Sequence, residues 1–261
     1  MNDIITEKSG SILRVQLNRP AKKNAMTTGM YLTMTELLKK AAADNEIRVV
    51  VWHGAGDSFC AGNDIEDFLK TPPASKESPQ EQLMRILIDL DKPLVAAVHG
   101  ATVGGGTTMI THCDFVYAAE NTRFQMPFIN LAAVPEFGSS YTIPAWVGHI
   151  RASELILLGQ PFTARRAAEL GLVTRVVPDG EALNVAMEVA QQLAAKPAGA
   201  LQASKRLLKR TARQQLEQVI RVETDVFTEL IRSADAKEAL TAFLEKRKPD
   251  FTKSQKSVAG T

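Results

Sequence analysis

Two short apolar runs set the terms on which this chain can fold. Val49-Val50-Val51-Trp52 and Pro93-Leu94-Val95-Ala96-Ala97-Val98 show no polar alternation, the pattern of a strand covered on both faces. Each opens into a glycine-bearing turn and then into helical spacing. Gly54-Ala55-Gly56-Asp57 leads to SFCAGNDIEDF, and HGATVGGGT leads to a helix over 107–112. Strands that return through helices pair in parallel, so the succession predicts an α/β fold.

Ile12–Leu17 alternates apolar and polar residues, as a half-buried strand does, and stops at Asn18-Arg19-Pro20. Residues 27–43 place Tyr31, Met34, Leu37, Leu38 and Ala41 at helical spacing, and helix is expected again over 80–90. Residues 114–118 and 123–126 read as further short strands. Pro, Ser and charge dominate residues 71–79, which read as a mobile loop. From about residue 150 helix prevails, with amphipathic stretches over 181–195 and 201–247 separated by Lys196-Pro197-Ala198-Gly199. This divides the chain into a core, residues 1–195, and a C-terminal helical region, residues 196–261, suited to packing on its own core or on a neighbouring subunit.

With 261 residues and 45% hydrophobic content, the chain can bury a core without disulfides or metals. Its 31 basic and 29 acidic residues leave a net charge of +2, which gives no support to a general nucleic-acid or membrane role. Cys60 and Cys113 lie outside any CxxC, which fits a reducing compartment. No signal-like N-terminus, membrane-length apolar run or address in the C-terminal SVAGT is evident, so a cytoplasmic location is expected.

Three segments have chemical potential. In Ser58-Phe59-Cys60-Ala61-Gly62-Asn63-Asp64, small residues allow close approach of a ligand to the backbone, and Asn63 or Asp64 can cap a helix beginning near Ile65. The plain alternative is a strand-to-helix turn with a good cap. Gly104-Gly105-Gly106-Thr107-Thr108 again exposes N–H groups at a helix start, though taken alone close packing of a turn is the first reading. It completes neither a P-loop nor a dinucleotide fingerprint. Two such turns can offer one N–H each to a single oxygen, an oxyanion hole without side chains. Glu136 is the lone carboxylate between about Met126 and Tyr141, where desolvation would raise its pKa into the general-base range. It also reads as a helix-start glutamate after Pro135. His53, His99, His112 and His149 show no metal-ligand spacing, and Gly138-Ser139-Ser140 is no nucleophile elbow. The basic stretch 205–213 reads as a solvated helix face, with attraction for ligand phosphates as the second reading.

LNRPAKKNAM, FCAGNDIEDF, KPLVAAVHGATVGGG, CDFVYAAENTRFQMPF, LGQPFTARRAAELGLVTRVVP and AFLEKRKPDF together resemble the crotonase, or enoyl-CoA hydratase/isomerase, superfamily over nearly the whole chain. The resemblance implies a spiral of ββα units with a C-terminal helical region, assembled as trimers or hexamers. It implies an acyl-CoA substrate and no separate cofactor, coenzyme A being part of the substrate. By the same similarity the N–H groups of Asn63 and Gly105 form the oxyanion hole. Ala61, Gly62, Asn63, Asp64 and Ile65 line the adenine and pantetheine path, with Lys22, Lys23 and Ala25 near the coenzyme A phosphates and adenine. Gly104 and Phe128 complete the substrate-binding set.

The departures narrow the reaction. Hydratases of this family carry glutamates where this chain has Thr108 and Phe128, and water addition needs both an acid and a base. MPFINLAAVPEFGSSYTIP instead resembles the peroxisomal-type Δ3,Δ2-enoyl-CoA isomerases, in which one glutamate, matching Glu136, shuttles the proton. That resemblance implies an isomerase of fatty-acid β-oxidation, its site kept dry by Phe128, Val134 and Phe137. The alternatives are an enoyl-CoA hydratase or other enzyme of this fold and, less in keeping with an apolar-flanked Glu136, a non-catalytic binding module.

Overall fold

The computed structural model describes residues 2–70 and 77–252. Most of the loop expected over 71–79, namely 71–76, and the C-terminal SVAGT lie outside the described residues.

In chain order the elements are β1 (Ile4–Ser9), β2 (Ile12–Leu17), α1 (Thr28–Ala43), β3 (Val49–Gly54), α2 (Ile65–Lys70), α3 (Pro79–Asp89), β4 (Leu94–Val98), β5 (Ala101–Val103), α4 (Gly105–Met109) and β6 (Phe115–Ala119). There follow β7 (Arg123–Gln125), α5 (Ser139–Val147), α6 (His149–Leu157), β8 (Phe162–Thr163), α7 (Ala164–Glu169), β9 (Arg175–Val177), α8 (Ala182–Ala194), α9 (Ala198–Leu230) and α10 (Ala234–Leu244). A six-stranded sheet has the order β1-β2-β3-β4-β6-β9, antiparallel only at β1–β2, and a three-stranded sheet has the order β5-β7-β8.

The apolar runs do what their composition demands. Val49, Val51, Val95, Ala97 and Tyr117 face α8, whose Ala182, Ala186 and Ala190 are small enough for close approach to the sheet. The alternate residues Val50, Trp52, Leu94, Ala96 and Val98 face the main core with Tyr31, Met34, Leu83 and Leu87 of α1 and α3. Both faces are therefore buried, as unalternating sequence requires.

The chain winds as a spiral of ββα units. β4 lies in the large sheet, β5 in the small one, and α4 follows; β6, β7 and α5 repeat the sequence. β3 begins the same kind of turn, because Cys60 bridges Thr102 of β5 before the chain enters α2. The order β3-β4-β6 in one sheet thus matches Cys60-β5-β7 in the other, so the segments leading into α2 and α4 come to lie side by side. This ordering is what places the two candidate turns together.

Several elements differ from expectation. β1 pairs with β2 by a tight antiparallel turn, while β5, β8 and β9, of two or three residues each, are too short to show a period. The helix expected over 201–247 is two: α9 ends at Leu230, and Ser233 caps α10 by accepting the Ala236 N–H at 3.1 Å. The basic stretch 205–213 is not simply a solvated face. Lys205 is buried, bonding Asp114 Oδ2 at 2.6 Å and the Lys92 carbonyl at 2.7 Å. Lys209 bonds the carbonyls of Ile88 and Leu90 at 2.7 and 2.8 Å, and Arg213 pairs with Asp89. Positions four apart on α9 thus turn inward, Lys209 supplying donors to carbonyls at the end of α3, while Leu207 and Leu208 point outward. Among the described residues no helix is long and apolar enough to cross a membrane.

Candidate active site

The first turn is held from both sides. Cys60 N–H donates to the Ala101 carbonyl at 3.1 Å and Val103 N–H to the Cys60 carbonyl at 2.9 Å, aligning the turn with β5. On its other edge Met26 N–H donates to Gly62 at 2.7 Å and Asp64 N–H to Met26 at 2.9 Å. In that parallel bridge Asn63 is the residue opposite Met26, so its own N–H points away from Met26. Asp64 rather than Asn63 caps α2: its Oδ1 accepts the N–H groups of Glu66 and Asp67 at 3.1 and 3.2 Å.

The second turn begins where Gly104 N–H donates to the Gln125 carbonyl at 2.9 Å. Gly105 is the first residue of α4, so its N–H has no acceptor within the helix. The backbones of the two turns touch. A Cβ on Gly62, at φ +86°, would stand 2.9 Å from the Val103 carbonyl oxygen and 3.8 Å from Gly104 Cα. Asn63 and Gly105 follow directly on that contact. The Tyr31 hydroxyl joins them: it donates to Asn63 Oδ1 at 2.7 Å and lies 3.4 Å from the point where a Gly105 side chain would begin.

Glu136 completes the cluster. Its Oε1 would stand 2.9 Å from a Cβ on Gly105, so a side chain there would displace the carboxylate. Glu136 is only 6% exposed, and Oε1 is buried without a hydrogen-bond partner among the described residues. Burial, and secondarily the nearby Glu223, push its pKa up to about 8. Glu136 precedes α5 instead of starting it; Phe137 and Gly138, at φ +60° and +69°, turn the chain before the helix begins at Ser139. A left-handed conformation costs a residue such as Phe137 about 1–2 kcal/mol, a strain held at the site by its surroundings. Phe137 is fully buried and its ring lies 3.8 Å from the Gly105 Cβ position.

The other predicted residues fall into two groups. Lys22, Lys23 and Ala25 lie beside Ala61 and Gly62, because Ala61 N–H donates to the Lys23 carbonyl at 2.9 Å. The buried Asn24 fixes this corner, donating to the carbonyls of Ala55 and Ser58 at 2.8 and 2.7 Å. Lys22 is exposed within 3.5 Å of Glu66, and the Asp64 carboxylate pairs with Arg19 at 2.9 Å. Ile65 opens α2 and is half-buried. Thr108 is fully buried, its hydroxyl turned to the Gly104 carbonyl at 3.3 Å, and Phe128 is buried at the start of a short 3₁₀ turn. Val134 packs against the separate cluster of Phe68, Ala133 and Phe227.

Two residues of this cluster escaped sequence reading. Tyr31 looked like an ordinary core position of α1. Glu223 had a visible signal, since Leu216, Ile220, Glu223 and Phe227 share one apolar face of α9, but sequence could not say what that face covers.

Residues 7–255 match the sequence profile of the family described as enoyl-CoA hydratase/isomerase. The chain belongs to the enoyl-CoA hydratase/isomerase family. It is 35% identical over 252 residues to the 2,3-dehydroadipyl-CoA hydratase of Escherichia coli, covering 96% of this chain and 99% of the relative. It is 33% identical over 252 residues to enoyl-CoA delta isomerase 2 of Rattus norvegicus, covering 94% of this chain and 64% of that protein. The structure of OdaA from Pseudomonas aeruginosa matches with a TM-score of 0.91 at 42% identity, covering 94% of this chain and 99% of the other. This family membership makes the chain an enzyme of acyl-CoA hydratase/isomerase type. Because a hydratase and an isomerase stand at similar identity, the choice of reaction rests on the site.

Proposed function

We propose that the protein moves a double bond from the 3 to the 2 position of an enoyl-CoA, with Glu136 as its only acid–base group. The observation that carries this reading is the Glu136 carboxylate itself: buried, without a hydrogen-bond partner at Oε1 among the described residues, and set against Gly105. The thioester oxygen binds between the N–H groups of Asn63 and Gly105. Glu136 removes a proton from C2, made acidic by the thioester, and the resulting dienolate places its charge on that oxygen. Each such N–H is typically worth about 2.7–4 kcal/mol of transition-state stabilisation. Protonated Glu136 then returns the proton at C4, giving the conjugated 2-enoyl-CoA. Thr108 and Phe128 stand where a hydratase needs carboxylates, and the apolar Phe137 beside Gly105 disfavours a positioned water.

The test is purified protein with a 3-enoyl-CoA, followed by the absorbance of the conjugated product. Glu136→Gln should lose about 10²–10⁴-fold in turnover while still binding acyl-CoA. Near-normal isomerisation by that variant would remove Glu136 from the mechanism. Efficient water addition to a 2-enoyl-CoA by the wild type would favour a hydratase.

A further inference from the structure

Immediately after Glu136 the chain makes two left-handed residues and then starts α5 with no side-chain cap, because Gly138 occupies the N-cap position. The missing acceptor comes from the far end of the sequence. Glu223 of α9 accepts the Gly138 N–H at 2.7 Å through Oε2 and the Ser140 N–H at 2.8 Å through Oε1. Both carboxylate oxygens are used, which fixes the plane of the group as well as its position. Leu216 and Ile220, on the same face of α9, come within 2.7 and 3.6 Å of a Cβ built on Gly138. From the opposite side His112 closes the clamp. Burial holds its pKa down to about 4, so the neutral ring donates Nε2–H to the Phe137 carbonyl at 2.8 Å.

We infer that Glu223 is a positioning residue for Glu136: by gripping the two peptide N–H groups beyond it, the α9 carboxylate aims the Glu136 side chain over Gly105 and sets its readiness to take a proton. This rests on the reading of Glu136 as the acid–base group. A cap alone would need no buried carboxylate beside another acid; helix starts are capped adequately by uncharged serine or asparagine. Here the second carboxylate lies close enough to oppose ionisation of the first, and burial carries Glu223 itself up to about 7. The other titratable groups bearing on Glu136 are Tyr31 of α1 and Cys60 of the first turn, both driven upward by burial and further by the Glu136 charge. Both are therefore neutral through the working range, leaving Glu223 as the neighbour whose charge responds.

The test uses the full-length protein and the variants Glu223→Gln, which keeps size and one acceptor, and Glu223→Asp, which keeps the charge on a shorter stem. In ligand-free protein carrying ¹³C-labelled glutamate, the Glu136 titration should move to lower pH in Glu223→Gln than in wild type. In the isomerisation assay Glu223→Gln should lower kcat at least about tenfold, the order expected for a misaligned catalytic group, with little change in KM. The rising limb of its pH profile should also move to lower pH, and Glu223→Asp should restore the wild-type limb. A folded Glu223→Gln protein with unchanged Glu136 titration and unchanged kcat overturns the inference, as does failure of both variants to fold, which would reduce Glu223 to a structural cap. The titration needs no substrate. If wild type fails to isomerise a 3-enoyl-CoA while the Glu136 titration still depends on Glu223, the proposed reaction falls and the clamp stands.

Discussion

Glu136 has a side chain that water would ionise and a setting that resists ionisation. A base works only when deprotonated, so isomerisation should rise with pH through a midpoint near 8 in the free enzyme, read from the pH profile of kcat/KM. The same displacement has a stability consequence. In the unfolded chain this carboxyl titrates near 4.5, and in the folded protein near 8. Between those values the folded protein holds a proton that the unfolded chain has released. The contribution is fully present below 4.5 and is lost as pH rises through about 8. Glutamine at this position escapes that loss. Relative to wild type, Glu136→Gln should therefore gain stability between about pH 5 and about pH 9, seen as a rising difference in urea midpoints. An unchanged difference across that range would mean that Glu136 is not desolvated.

The helix starts, more than any whole helix, organise the site. α2 and α4 each begin directly after a strand or bridge of the small sheet, so their first N–H groups lie where two glycine turns press together. Gly106 shows how tight this is: a Cβ there would lie 2.4 Å from the Cys60 carbonyl oxygen and 2.9 Å from Cys60 Cβ. Gly106→Ala should push α4 away from the first turn and destabilise the protein by about 1–3 kcal/mol, measured by chemical denaturation, with a loss of turnover because Gly105 moves with the helix. Of the three glycines, sequence reading picked out the middle one for its N–H through resemblance. The reasons for its neighbours are different and became visible only in the structure: Cys60 lies against Gly106, and Gly104 takes a positive φ of +55°. The Asp64 cap was legible as one of two candidates; in the structure Asp64 takes it while the Asn63 side chain accepts from Tyr31 instead.

Across the molecule, α9 meets the loop of Glu136 through Glu223 and the large sheet through Lys205. At the sheet end Lys205 holds Asp114, which also accepts the Leu94 N–H at 2.7 Å. Removing the cation would leave a carboxylate and the Lys92 carbonyl without their donor. Lys205→Met should cost about 3–5 kcal/mol, as breaking buried pairs does, whereas Arg206→Ala, on the exposed side, should stay within about 0.5 kcal/mol; denaturant melts distinguish them. The sequence by itself determined the parallel strands, the α/β class, the two glycine turns and the isolation of Glu136 among apolar residues, because period, small-residue runs and lone charges are local properties of a chain. It could not determine which strands share the small sheet, that the N-terminal Tyr31 reaches Asn63, or that Glu223, far along the chain, closes over the loop of Glu136. Those are contacts between segments distant in sequence. They exist only because the spiral stacks both sheets in the same order and lays α9 across the start of α5.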